Sequence, residues 1–171
     1  FDSKAEWISP GYDDVIFANG EHPMAPGAPP SRWYADPPAS DGRKVILSDT
    51  DHYAPGKGGA LWAWKSFVRG HHPILMDFGL LGGMSTPDPK FEATRYAMGD
   101  TLRYAERMNL VEMEPRDDLT STRFAPANPG SEYLVLQPND GACRVTLNAG
   151  TYEVEWYSVE TRETQRGDDL T

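Results

Sequence analysis

The sequence predicts an α+β chain in which parallel βα units come first and antiparallel strands follow. Three observations carry that expectation. Two short apolar runs lack alternation, a helical period lies between and after them, and from Leu119 onward the period is two. Strands buried on both faces read as continuous apolar runs, whereas half-buried antiparallel strands alternate.

The first run is Arg43-Lys44-Val45-Ile46-Leu47-Ser48-Asp49. From Gly59 to Gly70 the spacing predicts a helix with Leu61, Trp64, Phe67 and Val68 on one face, stopped by Gly70. Pro73-Ile74-Leu75-Met76-Asp77 is the second run. Strand, helix and strand within about 35 residues fit a right-handed βαβ crossover. A second helix opens at Asp88, a suitable N-cap, with Pro89 at the first helical position and Glu92 in the first turn. Phe91, Thr94, Met98, Leu102, Ala105 and Met108 recur at helical spacing, with Arg103 and Arg107 near the end.

Further on, Tyr133-Leu134-Val135-Leu136 reads as a strand and Pro138-Asn139-Asp140-Gly141 as a hairpin turn. Cys143, Val145 and Leu147 alternate with polar residues, as do Tyr152, Val154 and Trp156. That parity places Trp156 inward and leaves Tyr157 outside. Thr161-Arg162-Glu163 reads as the turn into another strand. Residues 1–42 are rich in Pro, Gly and Asp, which predicts irregular loop with at most a short helix or strand. So long a structureless stretch points to packing over further scaffold.

Composition narrows the function classes. With 39% hydrophobic and 25% charged residues in 171, the chain is a folded one. No apolar run approaches the roughly 20 residues of a membrane helix. Phe1-Asp2-Ser3-Lys4 leads into polar sequence and does not read as a signal peptide; the lack of Met at position 1 points to a start inside a longer polypeptide. A net charge of −10 argues against nucleic acid, which is held through Lys and Arg on phosphates. Residues 1–110 hold 14 acids and 11 bases, residues 111–171 hold 12 and 5, so the acidity concentrates where the period changes. The single Cys143 excludes an internal disulfide and a Cys-based zinc site. His71-His72 precedes a strand, where a structural role is expected rather than a metal, and Gly56-Lys57-Gly58-Gly59 lacks the phosphate-loop pattern. No cofactor is expected.

A complete (β/α)8 barrel needs eight units and roughly 250 residues. Two units appear here. The expectation is therefore the last βα units of a (β/α)8 barrel in residues 1–112, then an antiparallel β-sandwich domain in 113–171 that ends soon after its last strand. The missing N-terminal barrel portion of the same polypeptide is the expected partner.

Functional groups in parallel α/β folds gather where strands end, on the βα loops. Asp49 and Asp77 each end an apolar run there. Glycosidic cleavage commonly needs two carboxyl groups flanking the bond. Asp49 is thus the first catalytic candidate and Asp51 the reserve, with His52, Tyr53, Trp62 and Asp77 as substrate-binding candidates. The same residue types serve simpler ends: Asp-x-Asp caps turns, and tryptophans on an amphipathic helix pack as core.

The stretches Val45-Ile46-Leu47-Ser48-Asp49-Thr50-Asp51-His52 and Trp64-Lys65-Ser66-Phe67-Val68-Arg69-Gly70-His71-His72-Pro73-Ile74 resemble the end of apiosidase-like glycoside hydrolase barrels. Arg103-Tyr104-Ala105-Glu106-Arg107-Met108-Asn109-Leu110 resembles the helix that closes them. Ala127-Asn128-Pro129-Gly130-Ser131-Glu132-Tyr133-Leu134-Val135 and Tyr152-Glu153-Val154-Glu155-Trp156-Tyr157 resemble the β-domain that follows, which carries the label of a collagen-binding domain of a collagenase. The resemblance spans about residues 43–165. It implies a retaining-type hydrolase of oligo- or polysaccharides, secreted or periplasmic, with its partner acid on an earlier strand. Asp49 takes the place of the first Glu in the family's Gly-Glu-Pro-x-Tyr-Glu; it is one methylene shorter, and the Pro is absent. The other class of function is a non-catalytic module: the β-domain would hold a polysaccharide or collagen, or brace the barrel. Its acidic face favours bracing.

Overall fold

The computed structural model describes residues 4–10, 32–53, 58–80 and 86–171, without the side chains of 52 and 53. In order come β1 (Trp7–Ile8), α1 (Arg32–Ala35), β2 (Val45–Asp49), α2 (Thr50–Tyr53), α3 (Ala60–Val68), β3 (His72–Ile74), a 3-10 turn (Pro89–Phe91) and α4 (Glu92–Arg107). Strands β1, β2 and β3 form one parallel sheet with β2 in the middle. The expected strand–helix–strand unit is thus β2–α3–β3. The predicted loop in residues 1–42 contains β1 and α1; its stretch 11–31 lies outside the described residues, as does 54–57 of the Gly-rich loop.

α3 buries Trp62, Trp64 and Val68 and ends where Gly70 takes a φ of +74°, which the absence of a Cβ permits. The second strand differs from its prediction: it starts at His72 and ends at Ile74, three residues before Asp77. Leu75 to Asp77 leave the ladder because the Met76 amide donates to the Thr50 hydroxyl (3.0 Å) and Asp77 turns back onto the Leu75 carbonyl.

Burial in this sheet alternates, against the expectation of strands covered on both sides. Residues in register share a face. Ile8, Ile46, Ser48 and Pro73 share one, and Ile46 and Ser48 are buried there. Trp7, Val45, Leu47, His72, Asp49 and Ile74 share the other, where Trp7 is 59% exposed, Val45 47% and Ile74 37%. The apolar runs are strands as predicted, but one of their two faces is uncovered.

The 3-10 turn is capped as expected, Asp88 accepting from the Lys90 amide at 3.1 Å. Of the predicted stripe, Phe91 and Thr94 are buried and Met98 packs against the core, whereas Leu102 is exposed; Ala97, Asp100, Thr101 and Tyr104 join the buried side. The pattern left out Asp100 and Thr101, polar residues that this helix turns inward.

The C-terminal half holds β4 (Glu114–Pro115), β5 (Pro126–Asn128), β6 (Glu132–Tyr133), β7 (Glu155–Tyr157) and β8 (Thr164–Arg166). All pair antiparallel, as β4–β5–β6 and as β7–β8. The predicted strand from Tyr133 to Leu136 is regular only at its start, although Leu134 and Leu136 still donate to Pro126 and Phe124 carbonyls. The Cys143–Leu147 strand is reduced to a bridge between Val145 and Thr120. The class is mixed α+β with small sheets; among the described residues no barrel closes and no two full sheets stack.

The parity at Trp156 is the reverse of the prediction. Trp156 faces out at 61% exposure, and Tyr157 packs inward with its ring 5.4 Å from both Trp64 and Tyr104. A one-residue change of parity exchanges every side chain between faces. Here α4 decides the matter by offering polar partners. Tyr157 donates to Asp100 (2.6 Å), and Glu155 accepts from Tyr104 (2.6 Å) and from both Arg107 amino groups (3.0 Å each). Arg162, at φ +62°, grips Asp100 with two bonds of 2.7 and 3.1 Å. That guanidinium, with the Tyr157 hydroxyl, holds the Asp100 carboxyl below its usual range.

Asp100→Ala removes the acceptor of three hydrogen bonds and leaves Tyr157 without its partner. Its expected cost is about 2–3 kcal/mol in urea unfolding. Asp118→Ala, which breaks an exposed pair with Arg116, leaves the unfolding midpoint in place.

Candidate functional site

Asp49 is the last residue of β2 and lies in register with Ile74 on the uncovered face. It is half-buried, and its carboxylate accepts from the Asp51 amide at 2.9 Å, which starts the single turn of α2. Asp51 itself is exposed. The backbones of His52 and Tyr53 complete that turn, while their side chains lie outside the described residues. Buried Thr50 ties the two post-strand segments together through Met76. The loops that carry Asp49 and Asp77 are thus neighbours at the carboxyl end of the sheet, as the topology of βαβ units requires.

Two of the expected substrate contacts are used otherwise. Asp77 is buried and accepts from the amides of Gly79 (2.9 Å) and Asp88 (3.2 Å) and from Arg95. These bonds close the loop after β3 onto the start of α4 and leave the carboxylate no face for a sugar. Gly79 is required in that loop, since a Cβ there would stand 2.3 Å from the Thr86 carbonyl oxygen. Trp62 is core, stacked on Tyr34 with centroids 6.3 Å apart and planes 9° from parallel. Sequence reasoning missed Arg95 and Thr50. The Asp77-Phe78-Gly79 spacing, an Asx-turn pattern, was the available signal for the role of Asp77.

The opposite end of the sheet is built for stability, as expected for His71. Its Nε2 lies 2.8 Å from the Pro38 carbonyl, which can only accept, so in the neutral ring Nδ1 accepts from Ser48 at 2.8 Å. Burial, then the charges of Arg69 and His72, push this imidazole down to about 4. Arg69 is buried, stacks 4.4 Å over Phe124 and pairs with Asp117 and Asp36. Beside it, an open groove of about 440 Å³ runs between α1, α3 and segments 121–124 and 137–142. Asp36, Lys65, Arg123 and Asp140 line it, and Lys65 donates to the Ala35 carbonyl at 2.7 Å.

Among the described residues no three His, Cys, Asp or Glu side chains gather as metal ligands, and no helix is long and apolar enough to cross a membrane. No family model matches the chain, and neither a curated protein nor a solved structure is significantly similar to it.

His71 gives stability a pH dependence of defined sign. Its folded pKa lies below the unfolded value of about 6.5, so the unfolded chain binds the extra proton. Stability is therefore full above pH ~6.5 and falls by up to about 3 kcal/mol as pH drops toward 4. Urea unfolding at pH 7, 6 and 5 measures this, and His71→Asn flattens the slope across that window.

Proposed function

We propose that the parallel part of this chain is the end of a carbohydrate-cleaving barrel, with Asp49 as one of its two catalytic carboxylates. The observation that carries this is the partly open sheet face bearing exposed Trp7, Val45 and Ile74 and half-buried Leu47, with Asp49 at its carboxyl end. In a (β/α) barrel the helices cover the outer face of the strands, and the inner face packs against the remaining strands. β2 has α3 on one side and an apolar, open surface on the other. The apiosidase-like resemblance of residues 43–165 points the same way. Asp77 is engaged by three donors, so the second carboxylate comes from strands beyond those in this chain. Asp51, exposed one turn residue further on, is the reserve for Asp49.

The competing reading is a non-catalytic module that holds a polysaccharide or collagen. The outward orientation of Trp156 favours it, and the two readings apply to different halves of the chain.

The test is hydrolysis of a panel of neutral plant and bacterial oligosaccharides by the longer polypeptide, followed as reducing-end release. Asp49→Asn is expected to lower kcat by about 10³-fold or more with the fold intact by circular dichroism. An inert parent, or an Asn variant with full activity, reduces Asp49 to the cap of α2.

A further inference from the structure

We infer that the outer face of the β7–β8 hairpin, centred on Trp156, is a platform for one neutral pyranose ring of a polysaccharide. The inference rests on the setting of the indole and not on the assignment of Asp49.

The indole is held outward from both sides. Its chain neighbours Glu155 and Tyr157 are fixed on α4 by hydrogen bonds, and the β8 ladder pairs residues 155, 156 and 157 in turn. Trp156 cannot turn inward without breaking these contacts. On the outer face its five-membered ring rests against Gly167, where a Cβ would stand 2.6 Å from the indole Nε1 and 3.1 Å from Cδ1. The same Cβ would stand 2.9 Å from Val154. A bare backbone at 167 therefore lets the ring settle against the strand with most of its surface open. A large apolar ring held rigid with a polar edge is the usual anchor of a binding surface, because little rotamer freedom remains to be lost.

The surroundings select the ligand. Gln165 lies in register opposite Trp156 and is exposed, so an amide donor and acceptor stands beside the ring. A ring to cover and an adjacent amide suit the apolar C–H face and the hydroxyls of a pyranose. The half of the chain that carries the platform holds 12 acids and 5 bases, which disfavours uronic-acid polymers and nucleic acid. A specific protein interface needs about 800 Å² on each partner, more than one indole with polar neighbours supplies.

Isothermal calorimetry of the full chain with cellohexaose, xylohexaose, mannohexaose and chitohexaose tests this. At least one is expected to bind with a Kd on the order of 1 mM, and Trp156→Ala to weaken it about 10-fold or more. The thermal midpoint should stay within about 2 °C, since the side chain is largely exposed. Gln165→Ala is the second variant, expected to weaken binding about 3-fold without touching the ring. Asp118→Ala, which breaks only an exposed pair with Arg116, leaves this binding unchanged, and hydrolysis followed separately as reducing-end release keeps the catalytic reading apart. The inference is overturned if none of the four sugars binds at about 20 mM, or if Trp156→Ala binds as well as the parent. Binding of a collagen-like triple-helical peptide in place of sugars, or Trp156-dependent self-association without sugar binding, overturns it too.

Discussion

Asp100 holds the two halves of this chain together. It lies on α4, almost wholly buried, and takes the Tyr157 hydroxyl and the two-pronged Arg162 from the C-terminal hairpin. One turn further along, Glu155 bridges Tyr104 and Arg107, and burial followed by the Glu155 carboxylate raises Tyr104 to about 12. Between these polar clasps the rings of Trp64, Tyr104 and Tyr157 meet, with centroids 5.4 Å apart. A two-stranded hairpin is marginal alone in water. This one is kept by a helix that offers it an aromatic surface with charged groups at fixed places. The same clasp sets which face of β7 looks outward, so the exposure of Trp156 is a consequence of Asp100 and Arg107.

How much of this could be read in the sequence depends on what each residue had to be paired with. The strand–helix–strand unit was legible because its signals are local: apolar runs, a helical period, a stop at Gly70. The cap at Asp88 was legible for the same reason. The parity of Trp156 was not. Alternation is read from hydrophobicity, and Glu155 looks like a wet residue until Arg107 and Tyr104, some 50 positions earlier, are set beside it. The α4 stripe was legible only in its first half, since Asp100 and Thr101 count as outward in an apolar tally yet are buried. In the candidate site, Asp49 at a strand end was legible, whereas the engagement of Asp77 depended on Arg95 and on the closure of a loop.

The sheet's two ends divide the labour. The amino end carries buried His71, bonded to Ser48 and Pro38, and buried Arg69, paired with Asp36 and Asp117. Buried polar groups of this kind cost several kcal/mol when a partner is lost, so they fix structure. The carboxyl end keeps Asp49 half-buried, with its carboxylate accepting from the Asp51 amide.

The geometry of α4 separates the two candidate sugar sites. Its N-terminal turn is joined to the Asp77 loop through Arg95, at the carboxyl end of the sheet; the hairpin lies along the helix from Tyr96 and Asp100, which meet Arg162, to Tyr104 and Arg107. From Arg95 to Arg107 the helix rises roughly 18 Å at 1.5 Å per residue. Trp156, between Glu155 on Arg107 and Tyr157 on Asp100, lies on the side of the hairpin turned away from α4. A ring on Trp156 and a bond cleaved at Asp49 would lie on different faces, one on the hairpin's outer side and one on the open face of the parallel sheet. If both readings hold, the ligand that links them is a polymer, and the gain from joining them is one of effective concentration, set by the rigid spacing that Asp100 maintains.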